Sequence, residues 1–357
     1  MVGSVLGGAA GVLALAVLSA LAYRKLRSAR VARALAITTP TGIAEGRYVR
    51  AGGVDQWIQL RGEDRSNPIL LLVSGAGVPM EPYTPLLRAW ERHFTVVLWD
   101  RRDVGRTRGR NGKAGSDAWT FGTLADDGID IVEFLCRHLD QDKVVLVGHS
   151  QGSIVGVTMA RRRPDLFHAY VGTAQLADMA RNEPRTYELA LDRARAAGNS
   201  RALRGLERVP PPYRDYRSWM GKQRWSLTTD PETSAWQKAA FATVAFWPGY
   251  GFADIYRSLL GILFMPPQIF TGTMACTPET LGTRFEVPVL MLHGDDDCQT
   301  LPSLAEQYFA AIEAPAKEFV RLPDTGHMTL LARPDLFLTE LLGRVRPLTA
   351  TPPATPA

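Results

Sequence analysis

The residues Gly148-His149-Ser150-Gln151-Gly152 follow the pattern G-x-S-x-G. A serine hydroxyl is a weak nucleophile until an adjacent base takes its proton. The pentapeptide exposes its serine when a strand ends just before it and a helix starts just after it. The flanking glycines are needed because so sharp a turn leaves little room for Cβ atoms. Val144 to Val147 reads as a buried strand, and Ser150 to Arg162 as a helix ended by Pro164. Ser150 is therefore the candidate nucleophile. Its acid and base should follow it in chain order. His327 lies in Asp324-Thr325-Gly326-His327-Met328, a Gly-containing loop after the last expected strand. Asp297 ends His293-Gly294-Asp295-Asp296-Asp297, beyond an expected strand at Val287 to Leu292. A carboxylate there can hold an imidazole in the right tautomer and stabilise its charged form. Asp295 and Asp296 are adjacent alternatives. His149 and His293 read as packing residues, and His93, His138 and His168 fall on or beside helices.

Acyl transfer also needs donors for a developing oxyanion. The backbone N–H of Gln151, at a helix N-terminus, is one candidate. The second is expected from the loop Ser74 to Pro79, with Ala76 as the donor, because small residues let the backbone approach a carbonyl. No cofactor or metal is required. Cys136, Cys276 and Cys298 are widely spaced and read as single thiols. The Asp295–Asp297 cluster with His293 has no second ligand set at metal spacing.

Strand and helix alternate along most of the chain. Tyr48 to Leu60 reads as two strands around Gly52-Gly53, Ile69 to Val73 as a buried strand, and Thr95 to Trp99 as another. Helices are expected at Pro85 to His93, Thr123 to Leu139 and Leu301 to Ile312, with strands at Tyr170 to Gly172 and Glu318 to Leu322. This rhythm predicts an α/β class with a mostly parallel, doubly wound sheet. The α/β core is expected over 46–177 and 286–346. A helical insertion over 178–285, rich in tryptophan, is expected to lie as a lid over the carboxyl ends of the strands.

Val2 to Tyr23 holds no charged side chain and suits a membrane-crossing helix over residues 1–23. A basic flank and linker over 24–45 follows. With 41 Lys and Arg against 36 Asp and Glu, the net charge of +5 is matched by Arg24, Lys25, Arg27, Arg30 and Arg33 alone. This places the catalytic part in the cytoplasm, the alternative being secretion after cleavage near Ala20-Leu21-Ala22. A nucleic-acid binder would instead spread basic residues over a folded face, so no nucleic-acid partner is expected. Residues 347–357 read as a disordered tail.

These features resemble the α/β-hydrolase fold family, and within it the proline iminopeptidase-like branch. Trp99-Asp100-Arg101-Arg102-Asp103-Val104-Gly105-Arg106-Thr107 is similar to that branch's WDQRGxGRS segment. Asn67 to Pro79 resembles its strand and HGGPG loop, Gly294 to Asp297 its GxxD acid, and Glu318 to His327 its histidine-bearing segment. The loop here lacks the histidine and the Pro-Gly, and the elbow is Gly-His-Ser-Gln-Gly where those peptidases more often carry Gly-Gly-Ser-Trp-Gly. The resemblance implies a serine hydrolase acting on a small ester, amide or short peptide. An aminopeptidase would need a lid carboxylate for the substrate ammonium, for which Glu183 and Glu188 are candidates. A catalytically degenerate, membrane-tethered binding protein is the non-enzymatic alternative.

Overall fold

The computed structural model describes residues 2–75, 77–102, 104–112, 119–229, 240–261 and 265–350, with side chains from residue 11 onward and not at 259–261. Eight strands form one sheet: β1 (Ile43–Ala51), β2 (Val54–Gly62), β3 (Ile69–Val73), β4 (Thr95–Asp100), β5 (Val144–His149), β6 (Phe167–Thr173), β7 (Val289–Gly294) and β8 (Lys317–Leu322). Their order across the sheet is β1-β2-β4-β3-β5-β6-β7-β8. β1 and β2 form an antiparallel hairpin that adds antiparallel to β4. From β4 to β8 every neighbouring pair is parallel.

The central strands are mostly apolar because helices cover both faces. In β3 all of Ile-Leu-Leu-Leu-Val is buried, as are all residues of β4, β5 and β7. β8, at the edge, is half exposed. Helices Phe121–Leu139 and Gln151–Arg162 pack one face, where Ile131, Leu135, Val155 and Val157 join Leu71, Leu146 and Trp99 in one core cluster. The chain leaves β3 toward β4 on one side, then crosses back to β5 on the other. The loops after β3 and β5 therefore open a crevice at the carboxyl edge, where parallel sheets bind ligands.

Several boundaries differ from expectation. β1 starts at Ile43, inside the expected linker, because Ile43 and Val49 are buried against the core. Pro85 to His93 is not one helix. It is a short α-turn, Thr84–Leu87, set between 3-10 segments Glu81–Tyr83 and Arg88–Arg92. A helix at Gly105–Asn111 was not expected. Between β6 and β7 the chain is helical at Met179–Ala196, Ser200–Leu206, Tyr216–Thr228, 240–246, Phe252–Gly261, Pro267–Met274 and Pro278–Leu281. Of the tail expected over 347–357, the first three residues belong to the 3-10 turn Arg346–Thr349, and 351–357 lie outside the described residues.

The first helix runs from Val2 to Ala34, so the basic flank is helical rather than a linker. Among the described residues no helix is long and apolar enough to cross a membrane, and the membrane span expected at the N-terminus is not found there. Arg24 is bonded into the folded domain. Its guanidinium donates to the carbonyls of Ala245, at 3.0 Å, and Tyr250, and Tyr23 meets Phe246 edge to face.

Leu146 lies in β5 with no solvent exposure. Leu146→Ala should cost about 2–5 kcal/mol, the range for emptying a tightly packed leucine site, read from urea unfolding midpoints.

Candidate active site

Ser150 sits between the last residue of β5 and the first of the helix Gln151–Arg162. Its backbone is in the left-handed region, at φ 52° and ψ −127°, a conformation that costs a non-glycine residue about 1–3 kcal/mol. The flanking glycines permit it. A Cβ at Gly152 would lie 2.2 Å from the Val73 carbonyl oxygen and 2.5 Å from that of Ser74, and one at Gly148 would lie 2.9 Å from the Ser153 Cα. The loop after β3 is equally close, since a Cβ on Gly75 would meet the Ser150 Cβ at 3.1 Å. The Ser150 N–H donates to the Thr173 carbonyl at 3.0 Å, tying the turn to β6.

His327, in the loop after β8, reaches Ser150 across the crevice. Its Nε2 is 3.0 Å from the Ser150 Oγ. Its Nδ1 lies 3.1 and 3.0 Å from the two carboxylate oxygens of Asp297. An ionised carboxylate only accepts, so Nδ1 carries the ring hydrogen and Nε2 is free to accept from the Ser150 hydroxyl. Asp297 also accepts from the backbone N–H of Gln299 and Thr300, both at 2.8 Å, and from the Thr300 hydroxyl at 2.6 Å. Burial pushes its carboxyl up, but the charge of His327 and the hydrogen bonds from His293 and His327 outweigh burial and hold it well below the usual carboxylate range. Asp297 is 2% exposed, whereas Asp295 and Asp296 are exposed and Asp295 faces Arg321. The three candidates are thus separated by orientation, not by position in the chain.

The motif does not reveal two histidines that support this array. His149 donates from Nε2 to the His327 carbonyl at 3.0 Å, joining the elbow directly to the histidine loop. His293 donates from Nε2 to the Thr300 carbonyl at 2.8 Å, bracing the turn that carries Asp297. Arg101, which has no solvent exposure, donates to the Gly75 carbonyl and to the Gln151 side-chain oxygen, each at 3.3 Å. It bridges the β3 loop and the start of the helix after Ser150. Its place just past the end of β4, after Asp100, does not by itself mark this role.

Gln151 opens its helix, so its N–H belongs to the first turn. Its side chain is held by Arg101 and by the Thr273 hydroxyl at 2.9 Å. Ala76 lies outside the described residues. Two cavities meet at Ser150 and His327. The larger, about 330 Å³, is lined mainly by apolar residues, among them Val78, Met80, Tyr83, Met220, Leu227 and Val244. The smaller, about 40 Å³, is lined in part by Gln151, Glu183, Thr273, Gln299 and Thr300. Of the two ammonium candidates, Glu188 is exposed, while Glu183 is buried and paired with Lys222 at 3.1 Å. No disulfide joins Cys136, Cys276 or Cys298, and among the described residues no cluster of three His, Cys, Asp or Glu side chains is placed to hold a metal ion.

Residues 70–340 match the model of the Alpha/beta hydrolase family. The chain belongs to that family, and it is a hydrolase enzyme. It is 25% identical over 310 residues to the protein named "Probable aminopeptidase YbaC" of Bacillus subtilis (strain 168), covering 85% of this chain and 97% of that one. Among solved structures it is similar to a proline iminopeptidase-related protein from Thermus thermophilus, with a TM-score of 0.58, 19% identity, and coverage of 86% of this chain and 99% of that one. It is also similar to a bacterial membrane phospholipase A, with a TM-score of 0.56, 18% identity and 97% coverage of each chain. At such identities the two structures report a shared fold.

The buried His149 gives a pH test. Burial, with the nearby His327 charge, pushes its pKa down to about 3, against about 6.5 in an unfolded chain. The folded protein therefore binds this proton less readily than the unfolded one, and stability is lost as pH falls below 6.5. Between pH 7 and 5 the wild type should lose about 2 kcal/mol of unfolding free energy more than His149→Leu. Urea melts at both pH values check this, and parallel losses in the two proteins would exclude a buried neutral His149.

Proposed function

We propose that this hydrolase cleaves an ester or amide through an acyl-enzyme. In this reading the Ser150 Oγ attacks the substrate carbonyl carbon while His327 Nε2 takes the hydroxyl proton. Asp297 orients the ring and stabilises its charged form, and the N–H groups of Gln151 and Ala76 receive the oxyanion. The tetrahedral adduct expels the alcohol or amine, which leaves with the proton from His327. Water, deprotonated by the same nitrogen, then releases the acid and restores Ser150.

The observation that carries this reading is the pair of 3.0 Å contacts at His327, Nε2 to the Ser150 Oγ and Nδ1 to Asp297, beside a cavity large enough for an organic acyl group. The helices over 178–285 act as the lid in this reading, since Trp219, Met220, Leu227, Phe241 and Val244 from that segment line the cavity. A second reading, aminopeptidase action, is favoured by the relative's name and disfavoured by the engagement of Glu183 with Lys222.

Ser150→Ala should lower kcat on a short-chain nitrophenyl ester by about 10⁴-fold or more, and a fluorophosphonate probe should label the wild type at Ser150 only. Turnover equal to wild type in the variant would sink the assignment. Cleavage of a proline arylamide faster than the ester would favour the aminopeptidase reading instead.

A further inference from the structure

Among the described residues lining the two cavities beside Ser150, Glu183 is the single Asp, Glu, Lys or Arg. It is 4% exposed. Behind it, Lys222 has no solvent exposure and donates from Nζ to Glu183 Oε2 at 3.1 Å and to the Thr186 hydroxyl at 2.7 Å. The two residues come from different helices, Met179–Ala196 and Tyr216–Thr228. A buried lysine is strongly disfavoured unless paired, so the pairing is built into the packing of these helices.

The consequence for ligands is electrostatic. A lone carboxylate facing a cavity of low dielectric attracts a cation and lends the site affinity for an ammonium group. Here Lys222 cancels that charge from the side away from the cavity. Beyond Ser150, His149 and His327, the remaining polar lining carries no acidic or basic group and includes Gln151, Gln223, Gln299, Thr273 and Thr300. Gln223 is 6% exposed, and its amide oxygen is buried with no partner among the described residues. An uncharged donor, a hydroxyl or an amide N–H, satisfies such an oxygen without the desolvation cost that an ammonium brings.

We propose that Lys222 sets the charge selectivity of this site. The substrate is an uncharged ester or amide with an apolar body in the larger cavity and a small neutral hydrogen-bonding group in the smaller one, and substrates bearing an ammonium beside the scissile bond are rejected. The proposal rests on the reading of Ser150 as nucleophile.

The test compares methyl octanoate with methyl 2-aminooctanoate on the full chain, by pH-stat at pH 6.5, where the amine is mostly protonated. The wild type should favour the neutral ester by at least tenfold in kcat/KM. Lys222→Met uncovers Glu183 and should shift that ratio toward the ammonium ester by at least tenfold. Adding Glu183→Gln to it should return the ratio to the wild-type value. Equal turnover of the two esters by the wild type would overturn the proposal, and this comparison needs no variant to fold. So would an unchanged ratio in a Lys222→Met protein whose circular dichroism matches wild type. Ser150→Ala is run alongside. If it keeps wild-type turnover, the nucleophile assignment has failed; if it loses turnover of both esters, the selectivity result bears on Lys222 and Glu183 alone.

Discussion

The close approach of the helix after β5 to the carbonyl ends of β3 is the contact on which the rest of the site depends. The Val73 carbonyl oxygen lies 2.2 Å from where a Gly152 Cβ would stand, so the helix can begin there only without a side chain. That approach puts Ser150 at a left-handed φ of 52°, outside the sheet and facing the loop from β3. Strain at one residue is sustained because buried parallel strands fix both sides of the turn. With Ser150 fixed, the crevice between β3 and β5 becomes the place where a ligand, a base and backbone donors can meet.

The histidine and acid arrive from the other half of the sheet. β6, β7 and β8 pair in parallel beyond β5, and the loops after β7 and β8 deliver Asp297 and His327 over its end. The hydrogen bond from His149 to the His327 carbonyl couples that loop to the elbow, so Ser150 and His327 are not positioned independently. Thr300 and His293 do the same for Asp297, by hydroxyl donation and by bracing the turn. The array is preorganised by side chains that touch no reacting atom, which is how a site holds its geometry before a substrate arrives.

Charge beside the cavities follows the same logic. Among the described residues, the one carboxylate lining the cavities is paired with a lysine that has no solvent exposure, and the larger cavity is mostly hydrocarbon and aromatic surface. A fold shared with proteins named as a probable aminopeptidase and a phospholipase can keep one sheet and one set of loop positions while the helices between β6 and β7 differ.

Local sequence determined the elements whose signal is local. Continuous apolar runs marked the buried strands, and glycines around Ser150 marked the elbow. Residue order and strand ends pointed to His327 and to the run Asp295–Asp297, within which only the fold turns Asp297 toward His327. The start of β1 and the broken helix near Pro85 were not legible, because burial of Ile43 and the packing of Trp90 against Phe337 depend on distant chain. The N-terminal run read as a span from composition alone, while the docking of Arg24 on Ala245 and Tyr250 required the fold. Tertiary structure alone decided the roles of His149, Arg101, Thr300 and Lys222. Each acts through a partner far away in the chain or through the burial of a charge, and neither distance nor burial is written in a residue's immediate neighbours.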